Sequence, residues 1–238
     1  LSTAKHFPGH GDTSTDSHLD LPTVKSDRAH LESIELAPFR AAIAAGASTI
    51  MTGHLAVPAL DPDPDVPATM SPRISTELLR GQMGFNGLVV TDALDMGGVT
   101  VRYPPGEIAV RSILAGSDVL LVSPVLDAAL EAVRNAVGPD VDILIDQHRR
   151  LAPMHAIPLD KKLAEFGLYW MEEPCIAENP EGLAEIRRAT GLPIVIGEAT
   201  YLKQGFRPLL EARAADILNP DVACCGGILE LKEIAAMA

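Results

Sequence analysis

Basic residues, aromatics, cysteines and long apolar runs are all scarce in this chain, and each shortage excludes something. Nineteen Lys and Arg stand against 32 Asp and Glu, a net charge of −13. Such a surface repels phosphate backbones and anionic headgroups, so neither nucleic acid nor a membrane is an expected partner. Aromatics supply only 4% of the residues while apolar residues supply 47%. The core must therefore be built of Ala, Val, Leu and Ile, which suits helices layered on buried parallel strands rather than an aromatic-rich sandwich. The three cysteines, Cys175, Cys224 and Cys225, are odd in number and lack framework spacing; a reducing, cytoplasmic location is expected. There is no run of 18 apolar residues and no signal-peptide pattern. The first residue is Leu rather than Met, as expected of a fragment or an engineered chain.

What the chain does have is alternation. Short β-branched runs lie at 48–54, 87–93, 117–124, 141–146, 168–174, 193–198 and 215–222, with a weaker one at 2–9. Helix-like stretches fall between them, at 27–46, 105–116, 126–138, 163–167 and 180–191, several closed by Gly as at a helix C′ position. Strand then helix, eight times over, predicts an α/β fold with a parallel sheet. Eight units in 238 residues fit a single (β/α)8 TIM barrel over 1–238, with an open doubly wound sheet as the alternative. Polar residues sit at the C-terminal strand ends: His54, Asp92, Asp146, Glu172, Glu198 and Asp221. In both architectures that end carries the chemistry, and five carboxylates there are hard to explain as packing.

Residues 5–18, KHFPGHGDTSTDSH, concentrate titratable side chains on a glycine-containing loop. A zinc site would need ligands converging on one point, and neither a Cys pair nor HExxH accompanies His6, His10 and His18. A phosphate loop would need GxxxxGK[ST], which is absent. An acid/base loop fits better. Asp16 and His18 are two apart, so in extended backbone their side chains point the same way. A carboxylate beside an imidazole fixes its tautomer and raises its basicity. Further on, TDALDMGGV (91–99) places Asp92 at the end of an apolar strand, where an ionised carboxylate can act as a nucleophile.

Three motifs in order, AKHFPGHGDTSTDSHLDLP, MTGHLAVPALD and GFNGLVVTDALDMGGV, resemble glycoside hydrolase family 3, within it the bacterial β-N-acetylglucosaminidase branch. The resemblance covers residues 1–133. It implies a retaining mechanism without a metal: Asp92 as nucleophile, His18 supported by Asp16 as acid/base, and Lys5 and His6 holding sugar hydroxyls. Most retaining glycosidases use two carboxylates; this branch substitutes the His/Asp pair.

From residue 134 the character changes. VRNAVGPDVDILIDQHRRL, LAEFGLYWMEEPCIAEN, TGLPIVIGEATY and ADILNPDVACCGGILELKEIAAMA resemble the enolase superfamily barrel, in its mandelate racemase and sugar-acid dehydratase group, over 134–238. This implies Mg²⁺ held by Asp146, Glu172 and Glu198, with His148 as acid/base and Arg150 at the substrate. Hard carboxylate oxygens from neighbouring strands suit that ion. Glu173 is expected to be structural. The Lys-x-Lys base and the His-bearing strand of that family are not among these residues.

Apolar residues at 126, 129, 130, 133, 136 and 137 keep helical period straight through the change of family. Four β/α units from each half make eight, so a hybrid barrel of two halves, 1–133 and 134–238, is expected. Three functions follow, in order of preference. The first is a β-N-acetylglucosaminidase-like hydrolase, its activity weak or lost in the hybrid. The second is a Mg²⁺-dependent dehydratase or racemase on sugar acids. The third is an engineered chimeric barrel scaffold without efficient catalysis. The partner in the first two is a small carbohydrate or sugar acid.

Overall fold

Every β-branched run forms a strand. The computed structural model describes residues 2–238, and they divide into two units, one ending at Ala136 and the other beginning at Val137. The first unit holds β1 (Thr3–Phe7), β2 (Thr49–Thr52), β3 (Leu88–Ala93) and β4 (Val119–Leu121), paired in that order and all parallel. The second holds β5 (Leu144–Asp146), β6 (Trp170–Glu172), β7 (Ile194–Ile196) and β8 (Ile217–Leu218), again paired in order and parallel. The fold is thus α/β with two four-stranded parallel sheets.

In the first unit the pairing slips twice, between Lys5 and Phe7 on β1 and between Val90 and Ala93 on β3. An irregularity of this kind re-aims the side chains beside it, and here those residues include His6 and Asp92. Side chains alternate between the two faces of a strand, so Leu88, Val90 and Asp92 share one face and Val89 and Thr91 the other. Val89 and Thr91 are fully buried against the helices, whereas Leu88 is 44% exposed. The face that carries Asp92 is the less covered one.

The stretch 27–46 forms two helices, Arg28–Ser33 and Leu36–Ala44, instead of one. Pro38 is the reason. It has no N–H to give the carbonyl four residues back, so it is tolerated only in a first helical turn, and a new helix starts just before it. Asp27 caps the first helix, accepting from the His30 N–H at 2.8 Å. Helices Pro105–Ala115, Leu126–Val137 and Pro180–Thr190 lie where expected. Between β2 and β3, Arg73–Gln82 winds with wide i→i+5 turns. Helices Pro153–Leu163 and Leu202–Glu211 form in spite of interior prolines, Pro158 and Pro208, and Ile228–Met237 follows β8.

The first unit's core gathers Phe7, Leu31, Leu36, Phe39, Ile50 and Ile74, with the Phe7 and Phe39 rings edge to face at 5.1 Å. In the second, Met171, Ile194, Ile196, Leu183, Phe206 and Ile234 are buried. Burying an aliphatic side chain contributes about 1.5–3 kcal/mol, so these cores fix the strands whose ends carry the polar residues. No helix among the described residues is long and apolar enough to cross a membrane.

Candidate functional site

In the first unit, strand ends and one loop assemble the predicted residues. Asp92 ends β3 with its Oδ1 accepting from the Ala93 N–H at 2.9 Å and its Oδ2 3.5 Å from His6 Nε2 at the end of β1. The His6 imidazole is held below its ordinary value, chiefly by burial. Asp92 opposes that effect, while Lys5, His10 and His18 add to it. These groups therefore lie within one electrostatic neighbourhood. The His6 and His10 rings meet edge to face at 5.5 Å. Lys5, His6, His10, Asp12, His30 and Glu35 help to line a cavity of about 650 Å³.

Asp16 and His18 form the expected pair. Asp16 Oδ1 accepts from both the backbone N–H and the ring Nδ1 of His18, each at 2.9 Å. The carboxyl is held low, first by that backbone N–H and then by the ring. With Nδ1–H engaged, Nε2 is the nitrogen left for proton transfer. The His18 side chain is 74% exposed and makes no described contact with Asp92.

Two backbone bonds strap this loop to the segment after β3: Gly97 N–H to His18 O at 3.0 Å and Gly98 N–H to Ser17 O at 2.9 Å. A Cβ on Gly97 would stand 2.3 Å from Leu19 O, and one on Gly98 would stand 2.9 Å from His54 Cβ. The Gly-Gly of LDMGGV is thus a requirement of close approach. His54 itself is fully buried, with Nε2 2.9 Å from Ala93 O and Nδ1 3.0 Å from Thr69 Oγ1. A carbonyl only accepts, so Nε2 carries the proton, while the Thr69 hydroxyl lies between His54 Nδ1 and Gly53 O, 3.0 Å from each. His54 thereby anchors Ala93, the residue whose N–H holds Asp92.

In the second unit the three expected ligands stand at neighbouring strand ends, with Asp146 directly beside Glu172 in the parallel register. Each is engaged by a protein donor. Asp146 Oδ1 accepts from His148 N at 2.7 Å, and Glu172 Oε1 from Asn219 Nδ2 at 2.5 Å. Glu198 Oε2 lies 3.5 Å from Arg149 Nη1 and 3.9 Å from His148 Nδ1. Among the described residues no three His, Cys, Asp or Glu side chains gather closely enough to hold a metal ion. The donor set still fits a hard divalent cation. Burial, then Asp146, Glu173 and Glu198, raise the Glu172 carboxyl, with Asn219 opposing. A guanidinium already answers that excess of negative charge.

That guanidinium belongs to Arg149, the neighbour of the expected Arg150. Arg150 is exposed, and its backbone N–H returns to Gln147 O at 3.3 Å. Arg149 Nη1 lies 2.6 Å from Glu173 Oε2, and the fully buried Glu173 also accepts from Gly197 N–H at 3.2 Å. Glu173 thereby ties the end of β6 to the end of β7, the structural part expected of it. Asp221 accepts from the N–H groups of Ala223 and Cys224, both at 2.8 Å, which hold its carboxyl low. No sequence signal separates Arg149 from Arg150. Asn219 could have been suspected from its place at the end of β8.

Comparison with known proteins divides the chain in the same two parts. Residues 1–149 match the glycosyl hydrolase family 3 N-terminal domain, and residues 125–238 match the enolase C-terminal domain-like family. Over 132 residues the chain is 44% identical to beta-hexosaminidase A of Pseudoalteromonas piscicida, covering 51% of this chain and 22% of that protein. Over 109 residues it is 38% identical to D-galactarolactone cycloisomerase of Agrobacterium fabrum, covering 46% of this chain and 29% of that protein. The crystal structure of L-talarate dehydratase from a Polaromonas species, complexed with Mg and L-glucarate, superposes with a TM-score of 0.50 at 28% identity. It covers 58% of this chain and 41% of that one. The chain spans less than half the length of each of these proteins.

Proposed function

Since the chain belongs to glycosyl hydrolase family 3 through its first 149 residues, and is a two-part chimera whose remainder is enolase C-terminal domain-like, we propose that it hydrolyses terminal β-N-acetylglucosaminides with retention. The observation that carries this reading is the first unit's strand-end geometry. Asp92 is oriented by Ala93 N–H and faces His6 at 3.5 Å, in the same electrostatic neighbourhood as the loop that bears Asp16 and His18. The Asp92 carboxylate attacks the anomeric carbon as the bond to the leaving oxygen breaks. His18, its Nδ1–H held by Asp16, gives the Nε2 proton to that oxygen. It then takes a proton from the water that cleaves the glycosyl ester and frees Asp92. His6, whose neutral form burial favours, and Lys5 hydrogen-bond the sugar hydroxyls. Purified protein should release p-nitrophenol from p-nitrophenyl N-acetyl-β-glucosaminide with EDTA present, and Asp92→Asn should not. Equal release from both proteins would end this assignment.

The second unit supports a further reading, a Mg²⁺ site of the enolase type acting on a sugar acid. The specific observation is the negative charge around Glu172. Asp146, Glu172 and Glu198 would hold the ion, which supplies Lewis-acid stabilisation of an enolate. His148 is the nearby proton carrier, and Arg150 is the proposed contact for the substrate carboxylate. Calorimetric titration with Mg²⁺ should give binding heat that Glu172→Gln abolishes.

We infer that the two four-stranded sheets close into one (β/α)8 barrel over residues 1–238. Two open sheets would leave four unpaired strand edges, and partly exposed Leu88, Val119, Leu144 and Ile217 would gain cover in a closed barrel. One cooperative unfolding transition reported alike by both halves is the expected signature; two separate transitions would refute closure. Free thiols at all three cysteines, with Cys175 pushed up to about 11 by burial, fit a cytoplasmic, reducing location.

A further inference from the structure

Arg102 follows the nucleophile strand by nine residues, and the short helix Gly97–Thr100 lies between. Its Nη1 pairs with Asp20 Oδ1, and its Nε stands 3.7 Å from Asp65 Oδ1. Asp20 lies two residues beyond His18. Its N–H and that of Leu19 both return to Asp16 O, at 3.1 and 3.0 Å, so residues 16–20 form one tight turn. Asp20 also takes the Leu21 N–H at 2.7 Å. The far side of the arrangement is braced as well. The Tyr103 hydroxyl donates to Asp65 O at 3.0 Å, and the Arg111 guanidinium lies 4.8 Å above the Tyr103 ring.

Residues 97–102 thus hold the 16–20 turn at three points: two backbone N–H groups and one guanidinium. The turn sits nine residues beyond its own strand, β1, across a glycine-containing stretch. Its position is therefore referenced to β3, the strand that carries Asp92. We propose that Arg102, through Asp20, is a positioning residue for His18, fixing the acid/base imidazole relative to the nucleophile. This rests on the glycosidase reading. The ion pair is only partly buried, with Arg102 29% and Asp20 52% exposed. Its loss should therefore leave the fold intact while loosening the loop. Proton transfer to the leaving oxygen is sensitive to small displacements of the donor.

The test is Arg102→Gln and Asp20→Asn on a series of aryl N-acetyl-β-glucosaminides running from 2,4-dinitrophenyl to phenyl. An activated leaving group needs no proton, so kcat/KM for the dinitrophenyl glycoside should stay within about twofold of wild type. For the phenyl glycoside it should fall about tenfold, part of the roughly 10²–10⁴ that general acid catalysis supplies. The double variant should be no worse than either single one. A fall of equal size across the series, or none, overturns the proposal. Amide hydrogen exchange gives a second readout that does not need turnover. Leu19, Asp20, Gly97 and Gly98 should exchange faster in Arg102→Gln, and unchanged exchange there overturns the clamp. If wild type cleaves no glycoside in the series, the glycosidase reading fails, and the exchange data alone decide whether the clamp exists.

Discussion

Asp160 offers a sharp test of the second unit's electrostatics. It sits in helix Pro153–Leu163, fully buried, with Oδ1 accepting from Gln147 Nε2 at 2.6 Å. Its Oδ2 and the Gln147 Oε1 are both buried without a partner. A protonated Asp160 carries an O–H that can satisfy Gln147 Oε1; an ionised one leaves two acceptors unpaired. Burial accordingly pushes the carboxyl from 3.8 up to about 6, against the Gln147 hydrogen bond. Between those values the folded state holds a proton that the unfolded state has lost, so stability falls as pH rises. The shift is about two pH units at ~1.36 kcal/mol each, and the loss is about 3 kcal/mol, complete above the folded-state value of about 6. Asp160→Asn keeps the shape, supplies an N–H to Gln147 Oε1 and cannot ionise. Urea unfolding followed through Trp170, the chain's single tryptophan and a β6 residue, reads this unit directly. Wild type minus variant stability should drop by about 3 kcal/mol from about pH 4 to about pH 7.5, leaving the variant the more stable at neutral pH. Parallel pH profiles for the two proteins would refute the reasoning. Because Gln147 lies between Asp146 and His148, the same titration bears on how firmly the Asp-Gln-His segment is held.

Three further outcomes follow from particular contacts. Gly97→Ala drives a methyl against Leu19 O; overpacking of this kind costs about 1–3 kcal/mol, and circular dichroism melts should show it together with reduced glycoside turnover. Thr69→Val removes the hydroxyl that the buried His54 Nδ1 and the Gly53 carbonyl share. A loss of about 1–3 kcal/mol is expected, which Thr69→Ser should largely restore in the same melts. Arg149→Met leaves the Glu173 carboxylate buried without a counter-charge. Unfolding followed through Trp170 should show a loss of about 3–5 kcal/mol, with most of it recovered in the double variant carrying Glu173→Gln.

The strands were legible because a short β-branched run alternating with helix-like stretches has few other solutions, and all eight formed within their expected stretches. The helices were less so. Helices Pro153–Leu163 and Leu202–Glu211 lie outside the helix-like stretches, and each holds an interior proline, Pro158 or Pro208, whose local cost tertiary packing overrides. Pro38 split a stretch that read as continuous. At the site, the spacing of Asp16 and His18 sufficed to pair them. The approach of His6 to Asp92 depends on two register slips that no spacing rule contains. Arg102 and Asp20 are 82 residues apart, and nothing local marks either. The reach of Arg149 to Glu173 depends on backbone conformation, since both His148 and Arg149 adopt left-handed φ values, +49° and +62°.

The place where the two families meet explains why both sets of strand-end residues keep their partners. The family matches overlap over 125–149, and the boundary between the units, Ala136 to Val137, falls inside that overlap and inside helix Leu126–Val137. This helix packs through Ala129, Leu130 and Val133, which are buried, and Gly138 at φ +76° follows its last residue. In α/β folds the helices hold the sheet while the chemistry sits where strands end. A junction in a helix therefore exchanges packing for packing. Every described partner of Asp92, Asp16 and His18 precedes Ala136, and every described partner of Asp146, Glu172 and Glu198 follows Val137. A junction one unit later, between β5 and β6, would have separated Asp146 from Glu172, which stand residue against residue in the register. One unit earlier, between β3 and β4, it would have removed Leu121, whose N–H donates to Thr91 Oγ1 at 3.0 Å and whose carbonyl takes the Leu94 N–H at 2.9 Å on either side of Asp92. Helix Leu126–Val137 spares both constellations, and for that reason each half can be assayed for its own chemistry within the same chain.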